Sequence, residues 1–232
     1  MKIYNATQYA DPQQQFGAIL PVVYENLIFG VPTADYPSGF MPNALRGFAT
    51  ANDLICLDIE SSANKHTQMC ADLLRYVDRM GMAKVGFYGI IGFPWGDRTV
   101  LNKGQSFKLW QAKNDAWTDV LQASDVVMPS LYCITTDSTY WQQVARMLID
   151  ECKRLAPGKP IIPFVWIKFH NSLPQYDQYI GDDYWRLILK TCQRNADGVA
   201  VWDEKWMKDS AGQWVQKPWD AGTWFPILEA FE

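Results

Sequence analysis

Two carboxylates, Asp58 and Glu60, stand one residue apart at the end of the apolar run "DLICLDIE" (53–60). If that run is a strand, alternation puts both side chains on one face with Cα atoms about 6.5 Å apart. Two carboxyl groups that close and shielded from water resist ionising together, so one pKa rises. That group can stay protonated as a general acid near neutral pH, which is what cleavage of a glycosidic bond needs. Neighbours on one strand lie on the same side of a bound sugar, whereas ordinary retaining and inverting glycosidases flank the scissile bond with their carboxylates. The pair therefore needs a nucleophile from elsewhere. The substrate's own 2-acetamido group can supply it, with Glu60 protonating the leaving oxygen and Asp58 orienting the acetamido nitrogen. Two other uses stay open: ligands for Mg²⁺, although no third carboxylate stands nearby in sequence, and ordinary solvated anions at a strand end.

The surrounding pattern must position the pair. From residue 53 onward short β-type runs alternate with helical periodicity, the mark of strand–helix units and a parallel sheet. After "DLICLDIE" a helix is expected over 64–81, with Met69, Leu73, Leu74, Val77 and Met80 on one stripe and Gly81 as its stop. Strands follow at 84–93, 125–134, 160–169 and 198–204, separated by helices at 110–124, 139–158 and 182–198. The second of these helices carries Trp141, Val144, Ala145, Leu148, Cys152 and Leu155 on one stripe. Upstream, 2–8 and 18–29 read as strands and 41–50 as a helix, which brings the total to seven strands. Near-continuous apolar strands need cover on both faces, so the fold class expected is α/β, a TIM-like, seven-stranded β/α barrel. An open doubly wound sheet is the structural alternative, but neither G-x-G-x-x-G nor G-x-x-x-x-G-K-[ST] occurs. The expected organisation is one catalytic domain over 1–232, with 205–232 an irregular Trp-rich cap.

In such a barrel, chemistry gathers at the C-terminal strand ends. Those ends carry Asp58 and Glu60, Phe87 and Tyr88, Ser130 and Tyr132, Trp166 and Lys168, and Trp202, Asp203 and Glu204. The chain has 11 Trp, 11 Tyr and 11 Phe in 232 residues, more rings than one core hides, and rings on that rim suit the apolar faces of sugars. Trp166 and Asp203 are accordingly candidate substrate-binding residues. A net charge of −4 supplies no basic field for nucleic acid or an anionic membrane. Cys56, Cys70, Cys133, Cys152 and Cys192 lack C-x-x-C spacing and read as reduced core thiols, while His66 and His170 are too few for most histidine-based metal sites. No cofactor and no structural metal are expected. Without a leader pattern or a long apolar run, a soluble chain is expected. The reduced thiols lean towards an intracellular setting.

Taken in order, "KIYNAT", "AILPVVYENLIF", "ICLDIE", "GFYG", "MPSLY", "PFVW" and "GVAVWDE" resemble the hyaluronidase-type glycoside hydrolases and, more distantly, the chitinase-type enzymes. The resemblance implies a seven-stranded β/α barrel, substrate-assisted catalysis on a glycan and a secreted setting. By motif position it makes Glu60 the acid and Asp58 the acetamido partner. Tyr132 becomes the hydroxyl at the acetamido oxygen, and Trp202 the wall behind the methyl group. Tyr88 resembles a second active-site tyrosine, with Phe87 the alternative alignment. The chain departs from the family where Ser61-Ser62-Ala63-Asn64 replaces a Trp- and Arg-containing segment, and in lacking the paired extracellular cysteines. These departures and the acidic composition point away from hyaluronan, since a polyanion is better held by a basic groove. They favour a neutral N-acetylhexosamine polymer, chitin-like or peptidoglycan-like. A carbohydrate-binding barrel without turnover is the non-enzymatic alternative.

Overall fold

The structure, a computed structural model, describes residues 1–7, 16–29, 42–60, 66–79, 83–92, 98–204, 206–208, 213–216 and 222–231. The chain opens with β1 (Lys2–Asn5), β2 (Ala18–Ile19), β3 (Val22–Tyr24), α1 (Glu25–Phe29), α2 (Pro42–Ala51) and β4 (Leu54–Asp58). It continues through α3 (Thr67–Arg79), β5 (Lys84–Tyr88), α4 (Gln105–Asp115), α5 (Thr118–Ala123), β6 (Val126–Met128) and α6 (Ser138–Leu155). Last come β7 (Phe164–Trp166), α7 (Asp182–Asn195), β8 (Gly198–Trp202), β9 (Trp206–Lys208), β10 (Trp214–Gln216) and α8 (Trp224–Glu229).

Contacts divide the chain into two units, one of Met1–Ile19, Leu131–Arg146 and Pro163–Glu232, the other of Leu20–Ser130 and Met147–Ile162. The first holds a parallel sheet in the order β2-β1-β8-β7, with Ile3 level with Val199 and Trp166 level with Trp202. Val165, Val199, Ala200 and Val201 are fully buried, as near-continuous apolar strands require. Gly17 delivers the chain to β2 at φ 55°, where a Cβ would lie 2.2 Å from the Ile3 carbonyl oxygen, so only glycine fits. Trp185 of α7 donates its indole N–H to the Trp224 carbonyl at 3.1 Å and so anchors α8.

The second unit holds the parallel sheet β3-β4-β5-β6. Met69, Leu73, Leu74 and Val77 of α3, four residues of the stripe expected, are buried, and so is Cys70; Met80 and Gly81 lie outside the described residues. Along α6 the stripe Trp141, Val144, Ala145, Leu148, Cys152 and Leu155 is buried throughout. Its Glu151 is only 3% exposed. Arg154 donates to both its oxygens, at 2.8 and 2.7 Å, and Gln111 and Asn114 of α4 add bonds of 2.8 and 3.3 Å, so the charge is paired.

Three expectations are corrected. Among the described residues the parallel strands form two four-stranded sheets and not one closed seven-stranded barrel. The run 18–29 is not one strand. Pro21 has no N–H to give a ladder, so β2 stops before it; β3 begins after it, and the chain winds into α1 at Glu25, an acidic side chain suited to a first helical turn. The helix expected over 110–124 starts earlier and breaks at Ala116 and Trp117, where the Trp117 N–H turns back to the Asn114 carbonyl at 2.9 Å. Within 205–232 the described residues include the antiparallel pair β9-β10 and α8. None of the five cysteines is in a disulfide, and all are buried. Burial pushes the Cys192 thiol up to about 12 and raises Cys56, Cys133 and Cys152 as well, which leaves them unreactive near neutral pH.

Candidate active site

Register fixes the first group of candidate residues. Val23, Leu57, Phe87 and Val127 form one level across the second unit's sheet, all buried. One residue further on, Tyr24 is level with Asp58, and Tyr88 with Met128. The last row at the C-terminal edge is therefore Tyr24, Asp58, Tyr88 and Met128, side chains that in-register parallel strands send to one face. Asp58 is half-buried, and its Oδ1 is shut off from solvent. Two residues back on the same face, the Cys56 thiol is raised by burial and then by the Asp58 charge. At Gly86, also on that face, a Cβ would lie 2.9 Å from Sδ and Cε of Met128. Glycine there lets Met128 lie across β5 as an apolar floor to the row.

Tyr88 donates its hydroxyl to Ser130 Oγ at 3.0 Å. Of the two alignments considered, Phe87 is core at 3% exposure, whereas Tyr88 is half-buried at the strand end, so Tyr88 is the residue presented at the edge. The β4 ladder ends at Asp58, and alternation therefore positions Asp58 but not Glu60. Glu60 is exposed in the following loop, where its N–H donates to Glu25 Oε2 at 3.2 Å. Glu25 was missed by pattern reading; the available signal was an acidic residue directly after a strand, at the start of a helix. The segment Ser61–Asn64 lies outside the described residues.

The second group lies in the first unit. Trp166 and Trp202, level at the ends of β7 and β8, meet edge to face with centroids 4.8 Å apart at 78°. Tyr132 stacks on Trp202 at 5.6 Å and 28°, and is 5.8 Å from Trp166 and 6.2 Å from His170. Burial lowers the His170 pKa. Asp203, 5% exposed, accepts the Trp166 indole N–H at 2.8 Å and faces Lys168 Nζ at 3.2 Å. Lys168 also reaches Asp177 at 3.3 Å. Burial acts to lower the Lys168 pKa, but the Asp203 and Asp177 carboxylates outweigh it and raise it. With both oxygens engaged, Asp203 orients the Trp166 ring; sequence spacing did not reveal its pairing with Lys168, 35 residues away.

The seven candidate residues thus fall into Asp58, Glu60 and Tyr88 in one unit and Tyr132, Trp166, Trp202 and Asp203 in the other. Among the described residues no three His, Cys, Asp or Glu side chains stand together as a metal site, and no helix is long and apolar enough to cross a membrane.

No protein-family model matches the chain, and no curated protein matches it in sequence. Solved structures similar in fold include two of the same enzyme. One is bee venom hyaluronidase in a monoclinic crystal, with a TM-score of 0.62 and 13% identity over 99% of this chain and 95% of that one. The other is bee venom hyaluronidase in complex with a hyaluronic acid tetramer, with a TM-score of 0.55 and 15% identity over 84% of this chain and 80% of that one. At such identities the likeness is one of fold: α/β with parallel sheets, of a distant hyaluronidase type.

Proposed function

We propose that the protein is a glycoside hydrolase that cleaves N-acetylhexosamine glycans with retention, using the substrate's 2-acetamido group as nucleophile. The observation that carries the reading is the position of Asp58 at the C-terminal end of β4, with Glu60 two residues on in the loop, in a chain whose fold is like that of a hyaluronidase along 99% of its length. Glu60 protonates the glycosidic oxygen as the acetamido carbonyl oxygen attacks the anomeric carbon, and the leaving sugar departs with that proton. Asp58 accepts a hydrogen bond from the acetamido N–H, holding the carbonyl in line and stabilising the positive charge of the cyclic oxazolinium-like intermediate. Water, deprotonated by Glu60, then opens the ring with overall retention. By the resemblance, Tyr132 contacts the acetamido oxygen, Trp202 backs the methyl group, and Tyr88 is the second tyrosine. Trp166 supports the sugar-binding surface, and Asp203 holds Trp166.

The charge pattern favours a neutral glycan over a polyanion. Glu25, Asp58 and Glu60 are acidic, and Lys168 is already matched by Asp203 and Asp177. The test is release of reducing ends from matched N-acetylated and de-N-acetylated oligosaccharides, with and without EDTA. Cleavage confined to acetylated substrates and indifferent to EDTA is expected. Equal cleavage of both series would exclude the internal nucleophile, and loss of activity with EDTA would favour a metal-dependent hydrolase. A second reading, glycan binding without turnover, is favoured by the exposure of Glu60 beyond the strand. Binding of acetylated oligosaccharides with no new reducing ends would establish it.

A further inference from the structure

Tyr176 is 45% exposed, yet it is fixed on several sides. Its ring meets Trp166 edge-on, with centroids 6.1 Å apart at 66°. Trp166 meets Trp202, and Trp202 stacks on Tyr132, so four rings run continuously from Tyr132 out to solvent. The loop that carries Tyr176 leaves the chain after Phe169 and returns at Gln178, closed at its neck by the Phe169 N–H on the Gln178 carbonyl at 3.0 Å and the Ile180 N–H on the Ile167 carbonyl at 3.1 Å. The next residue, Asp177, takes a left-handed backbone at φ 64°, which Asp tolerates better than most residues. Its carboxylate is held by Lys168 at 3.3 Å, and the Glu204 carboxylate lies near the Tyr176 hydroxyl. Ordering a half-exposed ring costs side-chain entropy that its own burial does little to offset. A ring ordered in advance gives that cost back when a flat apolar surface stacks on it.

We propose that Tyr176 is a saccharide-stacking platform that extends the Tyr132–Trp202–Trp166 cluster, taking the apolar face of an N-acetylhexosamine unit next along the glycan from the one held by Trp202. The proposal rests on the reading of the protein as one that binds N-acetylhexosamine glycans. Asp177 and Lys168 are positioning residues for the platform.

The experiment is titration calorimetry of the full chain with N-acetylglucosamine and with its tetramer, for the parent and for Tyr176→Ala, Tyr176→Phe and Tyr176→Trp. Tyr176→Ala is expected to weaken tetramer binding about 10-fold, the scale of one aromatic contact, and to leave monosaccharide binding unchanged. Tyr176→Phe keeps the face and should bind within about twofold of the parent, and Tyr176→Trp at least as tightly. Tetramer affinity unchanged in Tyr176→Ala would overturn the platform alone, while the parent went on binding glycan. Equal losses for the two ligands, or a Phe variant as weak as Ala, would overturn it too, since the first is collapse of the cluster and the second a role for the hydroxyl. A parent that bound neither ligand would bring down the platform and the glycan reading together.

Discussion

Two carboxylates at corresponding places in the two sheets have opposite surroundings. Asp203, the residue after β8, is 5% exposed and is gripped by an indole N–H and an ammonium group. Asp58, the last residue of β4, is half-buried in a row with two phenols, above a thioether and a thiol. A carboxylate whose oxygens are taken by cation and N–H is locked in charge and orientation, and it serves the rings it holds. In the proposed function Asp58 is the carboxylate that meets the acetamido N–H of the substrate. On the proposed function, the first sheet end holds shape and the second carries the reaction.

The largest expected effect falls on the end proposed to react. Glu60→Gln removes the transferable proton and little of the shape, so kcat should drop about 10³-fold while glycan affinity stays within about twofold. Reducing-end release and calorimetry on the same preparation check this. Unchanged turnover would remove Glu60 from the chemistry and make both sheet ends binding surfaces.

A matched pair of substitutions probes the contrast directly. Asp58→Asn should lower kcat about 10²-fold, the scale of one preorganised transition-state hydrogen bond, with little change in the urea midpoint. Asp203→Asn should do the reverse, lowering stability by about 2 kcal/mol through loss of charge-assisted bonding to Lys168, with a smaller fall in kcat. If Asp203→Asn costs turnover and Asp58→Asn costs stability, the two ends have been assigned the wrong way round.

How much of this was legible in the sequence follows from the range of the interactions. Strands β4, β5 and β8 announce themselves because their central residues are buried on both faces and apolar, and α3 and α6 because one stripe is. The run 18–29 misleads because a short continuous apolar segment has no periodicity that separates strand from helix; Pro21 and Glu25 carry the information instead. Within the site, Asp58 is placed by a local pattern. The Glu25 contact to Glu60, the Trp166–Asp203–Lys168 group and the exposed Tyr176 depend on register and loop closure across 35, 37 and 35 residues, and on rings meeting through space. No local pattern encodes those distances.

The smallest expected effect tests the lock itself. Burial alone would lower the Lys168 pKa, and the Asp203 and Asp177 carboxylates raise it above its ordinary value of 10.5. A raised folded-state pKa means that the native chain binds this proton more tightly than the unfolded chain does. Its stabilising contribution is therefore complete below the unfolded value and is lost as pH climbs through the folded one. The stability difference between the parent and Lys168→Met should stay flat from pH 6 to pH 9 and narrow above about pH 10.5. Its size should be about 1 kcal/mol once solvent screening of the partly exposed ammonium is allowed for. The measurement is urea unfolding of both proteins across that range, at low and high salt. Because Asp203 is buried, its share of the contribution should resist salt, whereas the share from the more exposed Asp177 should be screened away. A difference that stayed flat beyond pH 11 would mean that the indole N–H of Trp166 alone holds Asp203. The contrast with Asp58 would then be one of hydrogen bonding and not of charge.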